Sequence, residues 1–314
     1  MLIDGHAIVF RAYYAFPASL TTPEGEQANA VYGFVSILLK TLEELRPSHV
    51  AVAFDMDKPT FRHLDFVDYK AQRPETDKEL KDQLGRVRES VKKLNMPIFE
   101  VEGFEADDVI GTLAKQAKDK EIEAIIVTGD QDAMQLVNGN VKVYVPARGK
   151  QPAKIFGEKE VVEKYGFKPV QMIDYKGLSG DSSDNIPGIK GVGPKTALSL
   201  IEQFESVEGI YEAIKNKSID GVSQGVLEKL MNGHEEAMKS KKLATIVLGV
   251  PIELDLKACE LHDYNKKKAA KYFEDLGFNS IVKRLPSDDW EELAEEVFVK
   301  NPEPEKKGEQ VSLF

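Results

Sequence analysis

Glu105-Ala106-Asp107-Asp108 puts three carboxylates into four residues at the head of an apolar, helix-spaced run of Val109, Ile110, Leu113, Ala114 and Ala117. Like charges this close repel, and each is costly to desolvate without a partner. The cluster has two readings. One is the acidic first turn of a surface helix, where carboxylates suit the positive end of the dipole. The other is part of a divalent-metal site, since Mg²⁺ takes carboxylate oxygens and keeps several waters. What decides is whether other acids converge on it.

Working outward, the acids recur after apolar strands. Met1-Leu2-Ile3 runs into Asp4, Val50–Phe54 into Asp55, Ile98–Val101 into the Glu105 cluster, and Ala124–Thr128 into Gly129-Asp130-Gln131-Asp132. Val141–Val145 reads as a fifth strand, and helical spacing over residues 29–45 ends before Pro47. Strands alternating with helices imply a mostly parallel sheet with right-handed crossovers. Ligands of open α/β sheets bind beyond the carboxyl ends of the strands. Four acidic sites on that one edge favour the metal reading. A share of the acids could be structural, and Asp132 could cap Ala133–Val137.

The chain has 314 residues, 42% of them hydrophobic and 30% charged, and a formal net charge of −11. That fits one large domain or two. Cys259 is the only cysteine, which excludes an intramolecular disulfide and argues against zinc held by thiolates. No apolar run reaches the length of a membrane span, and the N-terminus lacks a secretory pattern, so the expected compartment is the cytoplasm. Residues 286–314 carry nine acids against three bases. With that tail and nine candidate metal ligands set aside, the remainder is about +4, which leaves room for a basic nucleic-acid face.

Residues 58–93 hold ten Lys/Arg and seven Asp/Glu. Tyr69-Lys70-Ala71-Gln72-Arg73 lies there, followed by a charged helix over about residues 76–94. The segment is either a solvated helical insertion or a basic clamp over the acidic edge, where Lys and Arg hold phosphate and Tyr69 or Phe61 stacks on a base. Past residue 150 the sheet pattern fades, and residues 158–165 and 169–178 read as helices. Asp181 and Asp184 share a face if their turn is helical. Gly188-Ile189-Lys190-Gly191-Val192-Gly193-Pro194-Lys195-Thr196 permits a sharp hairpin whose N–H groups can face phosphate, with Pro194 opening a helix to about Phe204. The bland alternative is a tight corner between helices. The stretch is not a Walker A loop, because Pro194 stands where that loop requires lysine. Residues 205–285 read as mostly helical, 287–299 as one acidic helix, and 301–309 as a solvated linker.

Taken in order, Asp4-Gly5, Phe54-Asp55, Glu105-Ala106-Asp107-Asp108, Thr128-Gly129-Asp130-Gln131-Asp132, Gly180-Asp181-Ser182-Ser183-Asp184-Asn185 and the Gly188–Ala197 hairpin resemble the 5′ nuclease (flap endonuclease) family. The likeness is to the N-terminal 5′–3′ exonuclease domain of bacterial DNA polymerase I and covers about residues 1–285. It implies an α/β fold: a PIN-like, mostly parallel sheet over residues 1–178 with a helical arch inserted at about 58–95. A helical domain over 179–285 would carry a helix-hairpin-helix variant, and 286–314 would be an acidic tail.

The resemblance also implies metal ligation by Asp4, Asp55, Glu105, Asp107, Asp108, Asp130, Asp132, Asp181 and Asp184. The expected cofactor is a pair of Mg²⁺ ions, with Mn²⁺ able to substitute, and a K⁺ ion held at the hairpin. Lys70 and Arg73 would contact the scissile phosphate with Asp107 and Asp108 as the catalytic acids, and Tyr69 would stack. Duplex DNA would be gripped at Gly188, Lys190, Gly191, Gly193, Lys195 and Thr196. The last five residues resemble a sliding-clamp-binding peptide, with Gln310, Leu313 and Phe314 as its contacts, and suggest a stand-alone nuclease, with a fragment cut from a longer polymerase as the alternative; a monomer is expected. The reaction implied is two-metal hydrolysis of 5′ flaps or 5′ ends, RNA primers included. The rivals are a non-catalytic junction-binding scaffold recruited by the clamp and an RNase of the wider PIN-like group.

Overall fold

The structure is a computed structural model that describes residues 1–261 and 264–286. The acidic helix expected over 287–299, the linker and the clamp-binding peptide with Gln310, Leu313 and Phe314 lie outside the described residues.

Six strands form one sheet in the order β3-β2-β1-β4-β5-β6. These are β1 Leu2–Asp4, β2 Ala51–Ala53, β3 Ile98–Phe99, β4 Ala124–Val127, β5 Val141–Val145 and β6 Lys154–Phe156. All pairings are parallel except β5 with β6. Successive side chains of a strand face opposite ways. In β1, Leu2 therefore packs into one core with the helix α5 (Ala106–Asp119), and Ile3 into the other with α1 (Gly5–Ala15) and α2 (Asn29–Leu45). Both faces are covered, which is why the strands read as continuous apolar runs. The chain leaves β1 toward β2 and β3, then returns to place β4 on the other flank of β1. The gap between β1 and β4 is thus the switch point of the sheet, where a crevice opens at the carboxyl ends.

Two elements escaped the sequence reading. Helix α1 starts directly after Asp4, whose Oδ1 accepts the Ala7 N–H at 2.9 Å as an N-cap. The sixth strand is a three-residue edge strand, too short to show periodicity. One placement is corrected. The charged helix α4 (Lys78–Lys93), which follows the short α3 (Phe61–Asp65), is not part of an arch over the acidic edge. Leu80, Val87 and Val91 bury against α2, and the helix is the crossover from β2 to β3. The insertion therefore shrinks to about residues 58–77.

After β6 the elements among the described residues are helices: α6 Glu158–Tyr165, α7 Met172–Ser179, α8 Pro194–Phe204, α9 Val207–Lys215, α10 Gln224–Asn232, α11 His234–Ala244, α12 Leu256–Cys259, α13 Lys266–Asp275 and α14 Asn279–Val282. Helix α7 packs on α8 and α11, while α13 returns to cover α4 and joins the core beneath α2. Among the described residues no helix is long and apolar enough to cross a membrane.

Candidate metal and nucleic-acid site

The parallel register brings Asp4 level with Ala53 and Ile3 level with Val127, so residues just past β1, β2 and β4 emerge together. Asp4 lies at the centre. Its Oδ1 caps α1 and its Oδ2 accepts the Thr128 hydroxyl at 2.7 Å. Burial pushes its pKa up to about 7, with Asp55 and Asp130 adding to the rise. Asp107 projects from the first turn of α5 into the same space. Burial, then Asp4, Asp130 and Asp132, raise its pKa well above the carboxylate range. Asp132 is raised to about 6, again mainly by burial. Asp130 Oδ1 accepts the Asp132 N–H at 2.9 Å, which fixes that loop. Asp55 completes this side: its Oδ1 accepts the Ala106 N–H at 2.7 Å, and its own N–H donates to His6 Nδ1 at 2.9 Å. Burial lowers the pKa of His6, which keeps that nitrogen an acceptor.

Cations close the ring from the other side. Lys70 Nζ donates to Glu105 Oε1 at 2.8 Å and lies 3.9 Å from Asp184 Oδ2. Arg73 pairs with Asp184, and the Lys70 N–H donates to the Asp184 carbonyl at 2.9 Å. Residues 68–73 are thus fastened to the 181–186 turn. Lys176 of α7 bridges Asp132 and, at 2.5 Å, Asp181. Burial opposes its charge, but the two carboxylates more than offset that and raise its pKa. Asp130, Asp132, Lys176 and Asp181 line a cleft of about 620 Å³. Among the described residues no three acids already close on one point as a finished metal site. Lys70 stands between Glu105 and Asp184, and Lys176 between Asp132 and Asp181.

The structure removes Asp108 from the ligand set. It is 0% exposed, and Arg62 donates to both its oxygens at 2.7 and 2.8 Å. The N–H groups of Glu105 and Val247 take the remaining acceptor positions at 3.1 and 2.8 Å. In a helix, Asp107 and Asp108 point about 100° apart. One faces the crevice, and the other ties α5 to α3 and to the segment after α11. Tyr69 is corrected too. Only 4% exposed, its hydroxyl sits 3.2 Å from both Glu105 Oε2 and Asp184 Oδ2, so it has no face to offer a base. Asp181 and Asp184 do not share a helical face. Paired backbone bonds between Asp181 and Ile186, both 2.8 Å, make a hairpin turn that sends the two carboxylates to different partners. Asp132 is the first residue of a 3₁₀ turn, not its cap, and is committed to Lys176.

The glycine hairpin joins α7 to α8. Lys190, Gly191, Gly193 and Lys195 are exposed, Thr196 is half-buried, and Pro194 opens α8 as expected. Gly188 is corrected: it is buried, and its N–H donates to Ser240 Oγ at 3.0 Å rather than facing outward. Its φ of +60° and the Gly180 nitrogen 2.1 Å from where a Cβ would stand require glycine there. Sequence reasoning missed Arg62, Lys176, His6 and Thr128. Lys176, five residues before Asp181, carried a weak local signal. Arg62 carried none, because its partner lies 46 residues away.

Residues 1–166 match the family described as 5′-3′ exonuclease, N-terminal resolvase-like domain, and residues 167–267 match 5′-3′ exonuclease, C-terminal SAM fold. The chain belongs to the 5′-3′ exonuclease family. It is 44% identical over 289 residues to DNA polymerase I of Bacillus subtilis, an alignment covering 92% of this chain and 32% of that protein. The chain thus spans about a third of the length of the curated relatives it matches. Among solved structures, a bacteriophage T5 5′-exonuclease with bound zinc aligns with a TM-score of 0.63 at 19% identity, over 94% of this chain and 98% of that one. A T5 flap endonuclease in a pseudo-enzyme–product complex with DNA and metal ions aligns with a TM-score of 0.62 at 19% identity, over 94% and 97%. These two likenesses establish the exonuclease fold.

Proposed function

We propose that this member of the 5′-3′ exonuclease family is an active, structure-specific 5′ nuclease. It would hydrolyse phosphodiesters at 5′ flaps and 5′ ends, RNA primers included, in DNA replication and repair. The observation that carries the reading is the ring of desolvated carboxylates at the β1/β4 switch point. Burial and mutual repulsion raise the pKa values of Asp4, Asp107 and Asp132 together. Such a donor set, all hard oxygen, fits Mg²⁺ or Mn²⁺. The T5 structures, one with bound zinc and one with DNA and metal ions, support the same reading.

Asp4, Asp55, Glu105, Asp107, Asp130, Asp132, Asp181 and Asp184 would hold two such ions. When bound, these ions supply Lewis acidity at phosphate oxygens and a water of lowered pKa. The chain's own groups do the rest. Lys70 and Arg73, fastened at the rim, would exchange carboxylate for phosphate and offset charge that develops there. Lys176 pairs with Asp132 and Asp181 and offsets their charge. Residues 58–77 would screen access so that a single strand reaches the acids. Lys190, Gly191, Gly193, Lys195 and Thr196 would hold duplex DNA by its backbone without reading sequence, with a K⁺ ion at the same hairpin. The division at about residue 178, a monomeric state, a cytoplasmic setting and sliding-clamp docking through Gln310, Leu313 and Phe314 belong to the same proposal.

The test is a labelled 5′-flap duplex incubated with the chain in Mg²⁺ and in EDTA. The expected outcome is Mg²⁺-dependent release of the flap, leaving 5′-phosphate and 3′-hydroxyl ends. Tight flap binding with no turnover in Mg²⁺ or Mn²⁺ would reverse the reading in favour of a junction-binding scaffold. Preference for single-stranded RNA over the flap would favour an RNase.

A further inference from the structure

The ring of acids is not uniform. Asp4, Asp107 and Asp130 repel one another, and among the described residues none of the three is ion-paired. Asp132 and Asp181 differ, because Lys176 stands between them and bonds to both. These two acids come from separate segments, one from the 3₁₀ turn after β4 and one from the hairpin turn after α7. Asp181 Oδ1 accepts from Ser183 twice, from its N–H at 2.8 Å and its hydroxyl at 2.6 Å. Its Oδ2, turned to Lys176, is therefore the oxygen left for a cation.

Lys176 reaches this place from α7 with its side chain only 11% exposed. A buried ammonium is costly unless anions compensate it, and an apolar residue of like length would avoid that cost. Asp132, Lys176 and Asp181 line the cleft of about 620 Å³ together with Asp130, so an ion entering to meet these acids meets the ammonium as well. The two cations are rivals. A carboxylate oxygen turned toward an ammonium cannot also close on a divalent ion without one positive charge repelling the other.

We propose that Lys176 is a built-in counter-ion of the metal centre: it holds the place of a divalent ion between Asp132 and Asp181 and must leave before an ion binds there. The ring then loads unequally, first at the unpaired acids Asp4, Asp107 and Asp130, and only at higher ion concentration at Asp132 and Asp181. The inference deepens the metal-dependent nuclease reading and rests on it. Lys176 is thus a positioning residue that sets how tightly the second ion is held. A nucleic-acid phosphate entering the cleft offers the ammonium another anion, which ties the second ion to the presence of substrate.

The test counts Mn²⁺ bound to the whole chain without DNA, from the electron paramagnetic resonance signal of the free ion, over about 10 µM to 5 mM Mn²⁺. Wild type should show one tight ion and one weak one. In Lys176→Met the weak ion should tighten by about tenfold or more, because a unit positive charge a few ångströms from it is gone. Lys176→Arg keeps the charge and should stay within about threefold of wild type. Lys176→Gln repeats the measurement should circular dichroism show that the Met variant does not fold. Half-maximal flap cleavage should need less Mg²⁺ in Lys176→Met, whatever its maximal rate. Lys241→Met is the control. Lys241 also bridges two acids, Asp174 and Glu208, both at 2.6 Å, outside the cleft lining, and its loss should leave Mn²⁺ binding unchanged. A second ion held no more tightly in Lys176→Met and Lys176→Gln than in wild type would make Lys176 a structural tie and overturn the proposal. An equal gain in Lys176→Arg or in Lys241→Met would overturn it too. A wild-type chain that binds no Mn²⁺ at all would instead overturn the metal-dependent reading beneath it.

Discussion

Asp107 and Asp108 are adjacent in sequence and identical in chemistry, yet the structure gives them opposite surroundings, and replacing each by Asn tests the roles proposed for them. Asp108→Asn removes one charge with almost no change of volume. Asp108 is wholly buried and accepts from Arg62 twice, from Glu105 N and from Val247 N. An amide offers one acceptor oxygen, and its NH₂ would face donors. Arg62, only 2% exposed, would keep Glu105 at 3.4 Å as its remaining carboxylate. Breaking a buried pair from one side costs about 3–5 kcal/mol. At roughly 2–4 °C per kcal/mol for a chain of this size, Tm should fall by roughly 6–20 °C. Asp107→Asn should behave in the opposite way. Its carboxylate is disfavoured by burial and by Asp4, Asp130 and Asp132, so neutralising it should leave Tm in EDTA unchanged or higher. Flap cleavage in Mg²⁺ should nevertheless fall by about 100-fold or more. The assays are thermal unfolding by circular dichroism in EDTA and turnover of a labelled flap in Mg²⁺. An Asp108→Asn chain melting within about 2 °C of wild type would refute the structural assignment. An Asp107→Asn chain losing as much stability as Asp108→Asn would refute the division of labour.

Asp4 and Asp132, raised by burial to about 7 and about 6, and the raised Asp107 make the folded chain bind more protons than the unfolded one above about pH 4. In EDTA, stability should therefore increase as pH falls from about 8 toward 5, and a Tm that declines over that window would contradict the crowded ring. Saturating Mg²⁺ should flatten or reverse the trend, because ionised carboxylates then have a partner. Gly188→Ala should cost about 2 kcal/mol or more, since its Cβ would meet backbone at φ +60°. Gly193→Ala, at φ −91° with open space around it, should melt like wild type, and equal melting of the two would discount the hairpin geometry. Lys70→Met should lower kcat about 100-fold while flap binding in EDTA changes less than tenfold, and an unchanged kcat would take Lys70 out of the chemistry.

The placement of the acids was legible because strand ends are local signals. Apolar runs ending at Asp4, Asp55 and Asp130, with a helix signal after Glu105, require only period and length, and the parallel sheet then carries their ends to one edge. The Pro194 start of α8 was legible for the same reason, since proline at the first helical position is a one-residue rule. Helix α4 shows where this reasoning stops. Its charge density suggested a solvated insertion, and the family resemblance an arch, but a narrow stripe of Leu80, Val87 and Val91 was enough to bury it as a crossover.

By itself, then, the sequence determined the class of fold, the edge on which the acids meet and the kind of atom gathered there, because all three follow from short-range periodicity and residue type. Only the tertiary structure decided which acids face the crevice and which are spent on holding it together. Asp108 belongs to Arg62, Tyr69 lies beneath Glu105 and Asp184, and Lys176 spans Asp132 and Asp181. The reason is that these pairings join residues up to 115 positions apart. A carboxylate's role depends on what the fold brings within about 3 Å of it, and no local pattern in the chain encodes that.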